Sequence, residues 1–296
     1  MNGLIRGEIY LTVDIILGMI FAELVMKFRI ADILMRHVIP KDIPSVTGLA
    51  VAVSAGSSKA GAAIISSALA NNEISQNCAL WSVQLLHFPA YLRRWPSTFA
   101  LSVSMAGSAG FFFGISLIFS SFIRFIIAFM MLKRERLNSK PDEKNYELGQ
   151  SKHSIKFVKK LIKTLPLAWI FYALAFSIVP GLNKFFQSIF AGHNTLLPLA
   201  GWTIAAASIA HVSSALALTG GSLASGELTI SQAVFALILG NCLGSATRIL
   251  RMNAGYYFGL FEARIAQKML VMNFITIMIP SIINLIFAFS ALLFSS

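Results

Sequence analysis

Long apolar runs, broken by short polar interruptions, organise this chain: Ile9–Phe28, Leu80–Leu92, Phe111–Leu132, Leu165–Val179, Ala233–Leu243 and Leu270–Leu293. Several approach or exceed the ~20 residues that a helix needs to cross ~30 Å of hydrocarbon. Two further segments, Val46 to Ala70 and Leu199 to Ser225, are rich in Ala, Gly and Ser, too small-sided to face lipid comfortably. Each is interrupted midway, at Ser54-Ala55-Gly56-Ser57-Ser58-Lys59-Ala60-Gly61 and at Ser208-Ile209-Ala210-His211-Val212-Ser213-Ser214. Two short helices meeting at such a break predict a re-entrant hairpin, whose tip is tolerated at membrane depth only where protein or water satisfies its backbone. A single tightly packed helix is the alternative, since small residues also mark helix–helix contacts.

Composition narrows the class. Of 296 residues, 56% are hydrophobic and 12% charged, about half the charge of an average soluble domain. The fold class expected is all-α: a polytopic membrane protein. The first run is not a cleavable signal, because it carries Asp14 and Glu23, lacks a clear small-residue cleavage site and is long for such a segment. Cys78 and Cys242 lie inside apolar segments without metal-ligand spacing, so they read as small core residues.

The two halves follow one plan: an entry helix, a small-residue hairpin, a span ending in arginines, a weaker stretch and a long final helix. Ile74-Ser75-Gln76 and Leu92-Arg93-Arg94 in the first half find counterparts in Ile230-Ser231-Gln232 and Ile249-Leu250-Arg251 in the second, at offsets of 156 and 157 residues. On that frame Gln84 falls opposite Asn241 and Phe99 opposite Tyr256. The weaker stretches, Ser97 to Gly110 and Ala254 to Lys268, are expected not to span, the second lying along the interface. Each half then makes an odd number of crossings, which predicts two inverted repeats, residues 1–132 and 157–296, joined by a linker at 133–156.

Charge orients this plan. The net +12 is concentrated, with ten Lys/Arg against four acids between Lys133 and Lys163. Between membrane spans that reads as a cytoplasmic loop rather than a nucleic-acid surface. Its last turns, Ile155 to Lys163, have the pattern of an interfacial helix. Lys27, Arg29, Arg36, Lys41, Arg248, Arg251, Arg264 and Lys268 then fall on the cytoplasmic side. Arg93 and Arg94 fall outside, against the positive-inside tendency.

Arg93, Arg94, Arg248 and Arg251 are therefore the leading binding candidates. A guanidinium offers a planar fork for carboxylate or phosphate and stays charged when partly desolvated; the competing reading is that each arginine snorkels to headgroup phosphates. The hairpin breaks add Ser54, Ser57, Ser58 and Lys59, facing His211, Ser213 and Ser214, because hydroxyls and open helix N-termini bind small anionic groups. Gln84, His87, Asn241 and Asn273 are polar groups inside spans; amides can read a ligand or merely join two helices. Asp14, Glu23 and Arg124 are intramembrane charges, with an Asp14–Arg124 ion pair the simplest expectation. Walker-type, HExxH, CxxC and GxSxG motifs are absent from the sequence, so neither an enzyme nor a cofactor is expected.

With its small-residue hairpins, each followed by a polar-marked span, the chain resembles the Gate or nucleoside-recognition membrane family. That family is related to concentrative nucleoside transporters and to the membrane part of ferrous-iron transporters. Gly48–Arg94 and Gly201–Arg251 carry the resemblance, which with the flanking helices covers most of the chain and extends to compact archaeal multi-pass members. It implies an inverted-repeat transporter core with substrate at the hairpin tips. The acidic and Asn-rich base- and ribose-binding patterns of nucleoside carriers are not evident here, nor is the cysteine motif of the iron pathway.

The function expected is secondary transport of a small anion, such as a nucleoside derivative, organic anion or lipid-linked phosphate, bound between the repeats. Its partners are the lipid bilayer and a small-molecule substrate, not nucleic acid, with a homo-oligomer left open. The alternatives are a non-transporting membrane scaffold and an intramembrane enzyme acting on lipid phosphate, for which no nucleophile or base stands beside the arginines.

Overall fold

A computed structural model describes residues 43–138, 166, 169–170 and 197–295. Among these the secondary structure is helical, without strand. The helices are α1 (Ser45–Ser54), α2 (Ser58–Ala70), α3 (Gln76–Leu85), α4 (His87–Asn138), α5 (Leu199–Ala210), α6 (Val212–Ala224), α7 (Ile230–Ile249), α8 (Gly255–Leu260) and α9 (Ala263–Ser295). A π-helical turn, Leu250–Ala254, joins α7 to α8. Asp14, Glu23, the expected entry runs apart from residues 166 and 169–170, and residues 139–156 of the expected linker lie outside the described residues, while Lys133 to Asn138 continue α4.

Both small-residue segments are broken into helix pairs, α1 against α2 and α5 against α6. They fold alike at a constant offset of 154 residues. Pro44 and Pro198 precede the first helices. Ser57 and His211 occupy the breaks with nearly the same extended backbone, φ −152° and ψ 115° against φ −148° and ψ 120°. The second helices end alike, with the amides of Glu73 and Glu227 returning to Ala68 and Ser222. Asn72 and Gly226 turn the chain there at φ 58° and 73°, in the left-handed region that Asn and Gly tolerate. Ser75 and Thr229 then cap the next helices.

This register corrects the sequence alignment. The two Ser-Gln motifs share letters but not roles: Ser75 is the N-cap of α3, whereas Ser231 lies within the first turn of α7. Thr229 caps α7 and forms a reciprocal capping box with Gln232. On the cap register Gln84 falls opposite Ile238, so its match to Asn241 has no backbone support.

Two compact units emerge, and neither is a continuous half of the sequence. The first contains residues 43–91, 124–138 and 252–272. Its core joins α1, α2 and α3 to Ala128 and Leu132 of α4, to Tyr256, Tyr257 and Leu260 of α8, and to Ala266 and Met269 of α9. The Ser66 hydroxyl donates to the Leu260 carbonyl inside it. The second contains residues 92–123, 197–251 and 273–295. There Ala106, Ala109 and Phe113 of α4 pack with α5, α6, α7 and the end of α9. Each half of the sequence thus lends a segment to the unit built on the other half's hairpin.

The loan from the first half depends on one glycine. Gly107 adopts φ 54° and ψ −129°, a conformation open only to glycine. The indole of Trp95 donates to the Gly114 carbonyl at 3.0 Å. In a straight helix those residues would be about 28 Å apart, so α4 folds back on itself at Gly107. Trp95 stacks on Phe99, and Phe99 meets Phe111 edge-on across the bend.

Three helical stretches among the described residues are long and apolar enough to cross a membrane: Gln76–Glu135, Ile230–Leu260 and Ala263–Phe294. After the Gly107 bend, Phe111, Ile115, Phe119, Phe122, Ile126 and Met130 form an exposed stripe at helical spacing. In water such a stripe would be an aggregation surface; it suits lipid. Ala254 to Lys268, expected to lie along the interface, does not form one amphipathic surface helix. Tyr256 and Tyr257 are buried in a core, α8 continues from α7, and the exposed charges Glu262, Arg264 and Lys268 begin only beyond it.

Candidate functional site

Each unit places an amide and a guanidinium together, by different means. In the first, Gln84 on α3 is almost wholly buried and its Oε1 accepts from Nη2 of Arg124, itself 8% exposed on α4. His87, at the start of α4, shares a hydrogen bond of 3.1 Å with the Tyr257 hydroxyl of α8. Tyr256 lies against Tyr257, ring centroids 4.4 Å apart. Three separate elements are tied by these polar groups, and Asp14, the expected partner of Arg124, lies outside the described residues. Gln84 is committed to this cluster rather than displayed at a surface.

In the second unit the pairing is local. Nη2 of Arg248, in the last turn of α7, donates to the Asn241 carbonyl at 2.6 Å, to Asn241 Oδ1 at 2.7 Å and to Ser245 Oγ at 3.2 Å. Helical side chains lean toward the N-terminus, so the guanidinium lies back along its own helix, level with residues 241–245. That level is about 17–22 Å along the apolar Ile230–Leu260 stretch, close to half-way along its length. A snorkelling arginine would reach for a helix end; this one reaches away from the nearer end of α7.

Small residues open the place it occupies. A Cβ on Gly240 would fall 2.3 Å from the Ala205 carbonyl oxygen and 2.6 Å from Ser208 Cβ, so α5 and α7 touch backbone to backbone. One turn on, a Cβ on Gly244 would fall 3.0 Å from Ile209 Cα and 3.0 Å from Arg248 Nη1. The Arg248 guanidinium therefore lies against the end of α5, next to the break of the second hairpin. The π-helical turn carries Arg251, half-buried, and its charge acts on Arg248. Among the described residues no carboxylate pairs with either arginine, and the Nε and Nη1 protons of Arg248 have no acceptor.

The remaining expected residues divide. Arg93 and Arg94 do not end a helix: α3 stops at Leu85, and both arginines lie exposed in the second turn of α4, which continues through Pro96. The Ser97 and Thr98 hydroxyls return to the Arg94 carbonyl there. Neither arginine makes a side-chain hydrogen bond or ion pair among the described residues, to Arg248 and Arg251 or to a hairpin. Ser57 accepts from the Ala60 amide and so caps α2, while Ser58 and Lys59 are half-buried in its first turn. His211 and Ser213 are exposed at the second break. Sequence reasoning missed Ser245 and gave Ser208 no weight. The Gly240/Gly244 pair, one turn apart, is the signal that would have shown which face of α7 meets the hairpin.

Comparison with known proteins adds little chemistry. No family model and no solved structure matches the chain. Over 161 residues it is 28% identical to an uncharacterised protein of Methanocaldococcus jannaschii, an alignment covering 54% of this chain and 49% of that protein. The chain thus spans about half the length of this curated relative.

Proposed function

We propose that this protein is a secondary transporter of a small anionic solute, with Arg248 as the principal anion contact and Arg251 beside it. The observation that carries this reading is the Arg248 guanidinium, level with the middle of an apolar helix and held only by neutral acceptors among the described residues. A charge at that depth is costly unless paired, and such residues line ligand or ion pathways. Asn241 and Ser245 orient one edge of the fork and leave the other edge for a carboxylate or phosphate.

The rest of the reading extends the matched hairpins. The like-folded segments from Pro44 to Ser75 and from Pro198 to Thr229 are the cores of two inverted repeats, each inserted as a re-entrant hairpin. The basic linker at 133–156 lies on the cytoplasmic side. Constant register and matched backbone hydrogen bonds support duplication; inversion rests on the parity of crossings and on charge. A nucleoside derivative is retained within the anion class only in so far as it carries a phosphate or carboxylate.

Proteoliposomes supply the test. Saturable uptake from a panel of labelled mono- and dicarboxylates and phosphate esters is expected, and Arg248→Ala should reduce it about tenfold or more, as loss of a buried charge-assisted bond would. Uptake of a panel member that is indifferent to both Arg248→Ala and Arg251→Ala would remove the assigned contact. No uptake of any member, together with a stable heteromeric complex on mild solubilisation, would favour a scaffold.

A further inference from the structure

The two hairpins share a backbone but not its satisfaction. In the first, the Ser57 hydroxyl accepts from the Ala60 amide, and Ser54 donates to the Val51 carbonyl at 2.6 Å. At the equivalent positions of the second, 154 residues on, stand His211 and Ser208. His211 makes no capping bond, so the Ser214 amide, the counterpart of the capped Ala60 amide, has no acceptor among the described residues, and the Val212 and Ser213 amides beside it have none either. Ser208 is 0% exposed, and its hydroxyl finds no partner there either.

A buried hydroxyl left unsatisfied carries a desolvation penalty, and open amides at the start of α6 carry the positive end of its dipole. Ser208 belongs to the seam that holds Arg248: it abuts Gly240, and Ile209, the next residue, and Arg248 Nη1 both lie beside Gly244. Three kinds of donor, a hydroxyl, helix amides and a guanidinium edge, thus belong to one hairpin break and the seam beside it, with no carboxylate pairing with them among the described residues.

We infer that the second hairpin alone forms an oxyanion site, receiving one carboxylate or phosphate group on the first turn of α6, the Ser208 hydroxyl and the Arg248 guanidinium. The first hairpin is its closed structural counterpart. This rests on the anion-binding reading above and adds to it a location, a donor set and a one-sided stoichiometry. The group belongs either to a free solute or to a lipid headgroup, since both present the same oxygens.

The full chain, purified in a phosphate-free maltoside detergent, is titrated calorimetrically with inorganic phosphate and with succinate, and separately with micelles containing phosphatidic acid. One equivalent of probe per chain is expected. Saturation by phosphate or succinate identifies a soluble ligand; saturation by phosphatidic acid alone identifies a headgroup. His211→Asp places a carboxylate on the open amides, so it should raise the melting temperature of the unliganded protein and weaken probe binding about tenfold or more. Ser208→Ala should weaken binding several-fold without lowering the melting temperature. Ser75→Ala, which removes the cap of α3, should lower the melting temperature and leave affinity unchanged. Binding lost in Arg248→Ala but unaltered in His211→Asp and Ser208→Ala would overturn the hairpin site while leaving the arginine contact intact. Two equivalents per chain, or no binding of any probe, would overturn it as well, and the uptake measurement would then judge transport independently.

Discussion

The two hairpins share one backbone plan but satisfy their polar groups differently. Around the first, polar groups answer one another: Ser57 caps its helix, Ser54 bonds Val51, and Gln84 receives Arg124 from another element. Around the second, the corresponding cap is a histidine that does not cap, the corresponding serine is unanswered, and the arginine comes from seven residues away on the same helix. A fold can therefore keep its geometry while its two breaks satisfy their polar groups differently. What distinguishes the two breaks is hydrogen-bond satisfaction rather than shape.

The comparison can be broken most forcefully at the glycines. Gly61 and Gly240 each let a hairpin helix meet a neighbour; a Cβ would come 2.7 Å from the Ala50 carbonyl oxygen and 2.3 Å from that of Ala205, respectively. Valine at either place should destabilise by about 3 kcal/mol, since backbone cannot yield as a side chain does. Chemical unfolding in detergent measures this, and tolerance of Gly240→Val would mean that the α5–α7 seam is looser than described. Next in size is Gln84→Leu, which strips a hydrogen bond from a buried guanidinium and should cost about 2–3 kcal/mol. Asn241→Leu should cost less than about 1 kcal/mol, because Arg248 keeps a carbonyl and a hydroxyl. Equal losses would erase the distinction between a structural and a displayed arginine.

Smaller effects sharpen the same contrast. Ser57→Ala should lower stability by about 1 kcal/mol through loss of the α2 cap, whereas His211→Ala should leave it within about 0.5 kcal/mol. Comparing the two melting curves tests whether the second break is truly uncapped. Tyr257→Phe removes the hydroxyl that meets His87 and should cost about 1 kcal/mol, with uptake unaffected if the first unit's cluster is structural.

Much of the fold was legible. Apolar runs announced spans, and the Ala/Gly/Ser segments announced helices broken where Ser57 and His211 lie, because small residues and local hydroxyls weaken a continuous helix in predictable places. Register was misread, because three shared letters at Ile74 and Ile230 outweighed the caps, which the sequence disguises as Ser75 and Thr229. The exchange of segments between units was not legible at all. Nothing local tells Tyr257 that it will meet His87, or Trp95 that it will meet Gly114; those contacts depend on a reversal at one glycine and on closure over long sequence separations. Among the candidate residues, the sequence named Arg248 and Asn241 separately; their mutual bond depends on the helix direction, and the burial of Ser208 on a neighbour from α7.

The lending of segments also sets an order on biogenesis. A ribosome that has made residues 43–138 has supplied the hairpin of the first unit but not Tyr256, Tyr257 or Met269, which complete its core. The arm from Leu92 to Ile123 is likewise ready long before Phe235 and Leu292, the partners that share its core in the second unit. Chains usually fold unit by unit as they emerge, yet here neither unit can close before synthesis has passed well into the second half. The early helices must wait with small-residue and polar faces uncovered. Their dwell in that state, rather than the strength of any finished contact, is where a slowed ribosome or a truncating lesion would first be felt.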